Sequence, residues 1–440
     1  MTEGNLWSGI LRFSVPLMFS NVLQVLFNMS DVAVVGRFAG SAALGSVGST
    51  TILISVFTGF LIGIGSGINA LVARFYGARQ HDEVKKSIGN SLVFALGTSL
   101  FLMLAGLIFA HPLLKLLNTK EELIGGALLY LRICFLGMPA MGLFNFGSGV
   151  LSAVGETKKP VLILTMSGIL NVLLNLLFVI VFNMSVAGVA LATIISQYLS
   201  AVLILVLLIR SRDTYALSFK KENFRIDLAK QKALFALGIP AGFQNAIFGI
   251  ANLFIQSAVN SFPAVVVEGN SAAANADTLV YTLMATFYVA ATSFIAQNWG
   301  ANHKKRVLQS YLICILYAFA TGAVLGLLLV LFGRQFLSLF TTEKEVIDAG
   351  MVRLVIMGLS YGISSPMDTS TSAARGLGKT LVPTIIIILG SCVFRVAWIY
   401  TVFAYFKTIP SIYLLYCFSW ILTAAAECIY FAKIYKRTFA

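Results

Sequence analysis

Val161-Leu-Ile-Leu-Thr-Met-Ser-Gly-Ile-Leu-Asn171-Val-Leu-Leu-Asn175-Leu-Leu-Phe-Val-Ile-Val-Phe182 runs for twenty-two residues without a charge. The hydrocarbon core of a bilayer is about 30 Å thick and a helix rises about 1.5 Å per residue, so roughly twenty apolar residues cross it. A transmembrane strand would need only about ten residues, with alternating polarity. This run is twice that length and apolar on every side, which predicts a membrane-spanning helix. Stretches of the same kind fall at 10–34, 45–72, 88–110, 124–150, 188–209, 233–259, 271–296, 308–332, 348–374, 382–406 and 411–436, making twelve spans in all. The whole chain agrees with that reading. It is 58% hydrophobic and only 11% charged, with mean hydropathy +0.90, whereas soluble domains are about a quarter charged. A water-soluble fold is excluded, and the expected class is an all-α membrane protein.

The net charge of +14 does not form one basic patch. Twenty-two of the thirty-one Lys and Arg fall near the start of the first span, in every second loop and at or after the end of the last span. That is the sorting of cations to the cytoplasmic side, so both termini are expected inside, in the inner (plasma) membrane, with no nucleic acid as partner. The N-terminal stretch lacks a basic region and a cleavage site, so the first span is expected to stay in the mature protein. Cys134, Cys314, Cys392, Cys417 and Cys428 lie inside predicted spans without metal spacing and read as buried thiols. The three histidines, His81, His111 and His303, fall at loops, so no metal site is expected. No Walker-type GxxxxGK[ST] is present, so no nucleotide cofactor is expected either.

The chain repeats itself at an offset of about 223 residues. Leu11-Arg-Phe-Ser-Val-Pro16 returns as Leu234-Phe-Ala-Leu-Gly-Ile-Pro240, each followed five residues on by Asn21 or Asn245. Tyr76-Gly-Ala-Arg-Gln-His-Asp-Glu-Val84 returns as Trp299-Gly-Ala-Asn-His-Lys-Lys-Arg-Val307. Gly155-Glu-Thr-Lys-Lys-Pro160 returns as Gly378-Lys-Thr-Leu-Val-Pro383. Six spans per repeat is an even number, so both halves start on the same side and form two pseudo-symmetric six-helix lobes. The expected boundaries are 1–212, a charged cytoplasmic linker at 213–231, and 232–440. Such a pair of lobes alternates access by rocking, which points to a secondary transporter. The glycines of Gly59-Phe-Leu-Ile-Gly63-Ile-Gly65-Ser-Gly67 read as close helix packing, since no strand precedes them to make a phosphate loop.

Polar groups at membrane depth mark transport routes or bridge helices. Asp31 in the outer half of span 1 shares a helical face with Gln24 and Asn28. Span 4 adds Asn145 and Ser148, span 5 adds Asn171 and Asn175 at i and i+4, and span 6 adds Thr193 and Gln197. Convergence of these faces would make one polar pocket with a single ionisable group; asparagines that merely bridge helices would give the same pattern. The second half carries Asp277, Asp368 and Glu427 in or near spans. Arg395 reads as the one basic residue deep in a span. Asp368 aligns with Asn145, and Arg395 falls between the equivalents of Asn171 and Asn175. An Asp368–Arg395 pair would neutralise both, either to fix packing or to face a substrate.

Asn21-Val-Leu-Gln24-Val-Leu-Phe-Asn28-Met-Ser-Asp31-Val-Ala-Val-Val-Gly36-Arg resembles the first helix of the multidrug and toxic compound extrusion (MATE) family. Gln297-Asn-Trp-Gly-Ala301 is similar to that family's helix 8 ending, and Ala374-Arg-Gly-Leu-Gly-Lys-Thr380 with Pro383 to its helix 10–11 loop. The likeness covers essentially the whole chain. It implies a MATE-like fold, no enzymatic activity, and cation-coupled export of amphiphilic, often cationic small molecules by a monomer in contact with membrane lipid. Asp31 would carry the coupling ion, supported by Gln24, Asn145, Asn171, Asn175 and Thr193. Two departures bear on the ion. Several prokaryotic members have an aspartate in helix 5 where this chain has Asn175, and the acid linked to sodium in helix 7 of one branch is missing. Asp368 does match that branch's helix 10 aspartate. The expected ion is the proton, with sodium as the alternative. Competing readings are a lipid-linked oligosaccharide flippase, whose relatives have more spans and cationic cavities, and, further off, a channel or a membrane hydrolase.

Overall fold

The computed structural model describes residues 1–117, 119–211 and 225–439, and among them every regular element is helical. In chain order they are α1 (Leu6–Val34), α2 (Ser41–Gly77), α3 (His81–Leu116), α4 (Glu121–Leu136), α5 (Met138–Val154), α6 (Lys158–Leu176), α7 (Ser185–Arg210), α8 (Leu228–Val259), α9 (Ala264–Gly300), α10 (Lys304–Leu337), α11 (Lys344–Gly376), α12 (Leu381–Phe406) and α13 (Ile409–Thr438). Eleven are long and apolar enough to cross a membrane, and α4 with α5, bent by 43°, makes a twelfth. All twelve expected stretches are therefore helical. Most of the linker expected at 213–231 lies outside the described residues. The α4–α5 bend follows from Pro139, which has no N–H for the Phe135 carbonyl and whose ring clashes with it.

The chain forms two compact units. One contains Phe19–Ala246; the other joins Met1–Met18 to Ile247–Ala440. The sequence halves and the packing units therefore differ by an exchange of helix beginnings. Leu6, Ile10 and Phe13 at the start of α1 belong to the core of the second unit, where Phe13 meets Phe294 edge-on at 5.8 Å. The start of α8 belongs to the first unit, where Phe235 meets Phe94 at 5.0 Å and Lys230 pairs with Glu83. Pro16 and Pro240 stand just before the points where α1 and α8 pass from one unit to the other.

Inside the first unit α2 lies against the beginning of α8 so closely that a Cβ on Gly63 would sit 2.4 Å from the Gly242 nitrogen. That is the helix packing the glycine-rich stretch predicts. In the second unit, α9, α10, α11 and α13 surround Phe287, Tyr413 and Phe431, all nearly or wholly buried. The internal repeat is visible in the backbone. Arg79 and Asn302 both take φ near +57° (56° and 58°), and Gly155 and Gly378 both end their turns at positive φ, 93° and 74°. A π-helical turn follows α6 at Leu177–Val181, and another interrupts α12 at Ile399–Phe403. Of the five cysteines, Cys134, Cys314 and Cys392 are buried, Cys417 and Cys428 are partly so, and all are free.

Candidate functional site

The first unit carries a chain of hydrogen bonds in which Asn175 donates both ways, to Asp31 and, through Asn171 and Thr193, toward the Val189 carbonyl. Thr193 of α7 donates its hydroxyl to the Val189 carbonyl one turn back at 2.9 Å, which leaves the oxygen's lone pairs free to accept. Asn171 Nδ2 reaches that oxygen over a long 3.5 Å. Asn175 Nδ2 reaches Asn171 Oδ1 at 3.4 Å and donates a short bond to Asp31 Oδ1. The i, i+4 spacing on α6 stacks the two amides, and both are buried. Asp31 itself is half-buried. It sits one turn before the π-helical turn Val35–Ala39, and Asn175 sits just before the turn at Leu177–Val181. Irregular turns of this kind are commonly found at functional sites.

Not every expected residue joins this chain. Gln24 and Asn28 are exposed. Asn145 returns its Nδ2 to the Met141 carbonyl of its own helix at 3.0 Å, and Ser148 beyond it is half-buried. Gln197 packs its Oε1 against Gly137 at the α4–α5 bend, where a Cβ would stand only 2.4 Å away. Two residues of α4 that the sequence did not link to this site, Tyr130 and Cys134, are buried within electrostatic reach of Asp31. Their i, i+4 spacing on one face of α4 is the signal that could have found them.

The second unit corrects the expectation that Arg395 is the one basic residue deep in a span. Arg353 of α11 is also buried. It donates to Asp277 of α9 through Nε at 3.1 Å and through Nη2, and its Nη1 donates to Asn270 Oδ1 at 2.6 Å. Tyr361 donates to the other Asp277 oxygen, Tyr413 donates to Asn270 Oδ1 at 3.2 Å, and Asn270 Nδ2 donates to Gln256 at 3.4 Å. Arg353 lies nine residues into α11, after Lys344, Glu345 and Asp348, and so resembles a polar flank in the sequence. Asn270 and Asp277, seven residues apart on one face of α9, are the pattern that gives it away.

The direct Asp368–Arg395 pair does not form. Arg395 Nε donates to Ser419 of α13 at 3.1 Å, and its guanidinium lies 4.7 Å from the centre of the Tyr416 ring. Asp368, also buried, is within electrostatic reach of Arg395, Arg375 and Glu427, yet among the described residues no cation reaches ion-pair distance of it. Glu427 is fully enclosed, and among the described residues neither of its carboxylate oxygens has a hydrogen-bond partner.

Chemically, Asp31 offers a carboxylate and its neighbours offer amide and hydroxyl oxygens, the ligand set that suits a proton or a hard monovalent cation. Among the described residues no three His, Cys, Asp or Glu cluster to hold a metal ion. The MatE family model matches residues 16–177 and again residues 240–401, starting points close to the internal offset. The probable multidrug resistance protein YoeA of Bacillus subtilis is 30% identical over 392 residues, covering 88% of this chain and 84% of that protein. YpnP of the same organism, also described as a probable multidrug resistance protein, is 29% identical over 393 residues, covering 88% and 86%. Among solved structures, a MOP superfamily transporter from Pyrococcus furiosus superposes with a TM-score of 0.93 at 21% identity, covering 99% of this chain and 97% of that one. Two copies of the family pattern over a helical, twelve-span chain lead to one assignment: this multi-pass membrane protein belongs to the MATE family of transporters.

Proposed function

We propose that this protein is a proton-coupled antiporter of the inner membrane, with both termini cytoplasmic, that exports amphiphilic and often cationic small molecules as a monomer whose two lobes rock. The observation that carries the reading is the hydrogen bond that Asn175 donates to Asp31, with Asn175 also donating to Asn171 and Asn171 to Thr193. An ionised carboxylate only accepts hydrogen bonds, so Asn175 has to present its N–H, and its own Oδ1 is left buried without a partner among the described residues. Protonation turns one carboxyl oxygen into a donor. Rotation of the Asn175 amide would then let its Oδ1 accept from that donor in exchange for the bond to Asn171, so one proton reverses the polarity of the contact between α1 and α6. The uncharged state makes smaller demands on hydration, which favours a closed pocket with weaker hold on a cation.

Proton and substrate would thus compete for one carboxylate, and each must lower the other's affinity by the same factor. The gradient is adequate to drive the exchange. It supplies about 2.3 kcal/mol per charge per 100 mV and about 1.4 kcal/mol per pH unit, against a typical coupling of roughly 1–3 kcal/mol. Sodium is the alternative ion, since the same oxygens would suit it. An ion-swap efflux assay in proteoliposomes with a panel of dyes tests the choice. Efflux should follow ΔpH at constant sodium, and efflux that follows sodium at constant pH would overturn the proton reading.

A further inference from the structure

Arg395 is a buried cation with no acid in contact among the described residues. It stands in Phe394-Arg-Val-Ala-Trp398, between the π-helical turns Ile388–Val393 and Ile399–Phe403 of α12, and is 3% exposed. Its Nε is bonded to Ser419, and the rings of Tyr416 and Phe248 lie 4.7 and 5.8 Å from the guanidinium. Among the described residues its two Nη groups make no hydrogen bond, and no carboxylate reaches ion-pair distance. Arg353, by contrast, is closed off by Asp277 and Asn270. A guanidinium at membrane depth is costly unless its charge is met, and its planar fork fits a carboxylate or phosphate.

Ile399 and Phe403, which follow Arg395 along α12, line a groove of about 560 Å³ in the same unit. Phe254 and Phe262 from the α8 side face Tyr400 and Phe403 across it, and Lys407 stands at its far end. Lys407 is exposed, and among the described residues it has no carboxylate partner. In the internal repeat, which sets Asn21 on Asn245, Ile255 occupies the position of Asp31, so the second half carries no acid there.

We propose that the groove between α8 and α12 binds an anionic aromatic amphiphile as transported substrate, its carboxylate on Arg395 and its apolar body between the aromatic walls. Lys407 attracts the same charge at the other end. This rests on the export reading and names a second substrate class for it.

The test is equilibrium binding to the purified full-length protein in phosphatidylcholine nanodiscs, with 1-pyrenebutyric acid and its uncharged methyl ester as probes. The acid should bind about tenfold or more tighter than the ester, the effect of hydrogen bonds to a charged group. Arg395→Gln should bring that ratio close to one, and Arg395→Lys, which keeps the charge without the fork, should leave it in between. Should the Gln variant fail to fold, the Lys variant alone decides, because a ratio unchanged from wild type overturns the proposal. A ratio unchanged in Arg395→Gln also overturns it. So does loss of acid binding when phosphatidylglycerol replaces phosphatidylcholine, which would make the groove a lipid site. Binding needs no gradient, so failure here is separable from failure of coupled export.

Discussion

Asn175 turns its side-chain N–H toward Asp31 and thereby leaves its own carbonyl oxygen buried and, among the described residues, unpartnered. A hydrogen bond to a charged group contributes about 1.5–3 kcal/mol, which is roughly a 10–100-fold effect on an equilibrium. Asn175→Leu, which keeps the volume and removes both polar atoms, should therefore slow coupled efflux by about that factor at unchanged expression. Initial rates in proteoliposomes within twofold of wild type would show that the contact does not take part.

Competition at Asp31 sets the sign of a pH effect. The ionised carboxylate attracts a cationic substrate and the protonated one does not, so affinity for a dye such as ethidium should weaken as pH falls through the titration of Asp31. The span of the effect should be roughly 5–150-fold. Titrations of the purified protein check this, and a wild-type affinity that is flat between about pH 5 and 8 contradicts competition.

The Asp277–Arg353 contact predicts a stability pattern. Removing one partner of a buried pair typically costs about 3–5 kcal/mol, whereas replacing both with apolar residues is often neutral. Arg353→Met should lower the melting temperature in detergent markedly, and adding Asp277→Leu should recover much of it. A double variant as unstable as the single one would assign the loss to packing or to Asn270 and Tyr361.

Two glycines of α2 separate packing from helix propensity. Gly63→Ala would push a methyl group onto the Gly242 backbone, a clash of the kind that costs about 1–3 kcal/mol. At Gly48 an added methyl group would meet nothing within 4 Å, so Gly48→Ala should be neutral or stabilising by up to about 1 kcal/mol. Thermal melting of the two variants side by side checks the contrast, and equal shifts would remove the packing argument.

The spans were legible because membrane depth leaves one solution for a long apolar run, a helix, and the 161–182 stretch contains almost nothing else. Asn171 and Asn175 were legible for the same reason, since the i, i+4 rule fixes their shared face before any partner is known. Gln197 and Asn145 stand apart from the Asp31 contacts because a polar side chain in a span can turn to a glycine notch or to its own backbone, as Asn145 does onto Met141. Arg353 was hidden by position, since charge near a helix end looks solvated until the partner helix, here bearing Asp277, is known to face it. The exchange of helix beginnings around Pro16 and Pro240 was out of reach because a repeat records ancestry and not which helix ends pack together.

The most direct test of Asp31 as the coupling group is ΔpH-driven dye efflux by Asp31→Asn in proteoliposomes, at protein levels matched to wild type. The amide keeps the size and the hydrogen-bonding capacity of the carboxyl and removes its proton exchange. Gradient-driven efflux should be abolished while the variant inserts normally, and efflux at the wild-type rate would contradict a coupling role for Asp31.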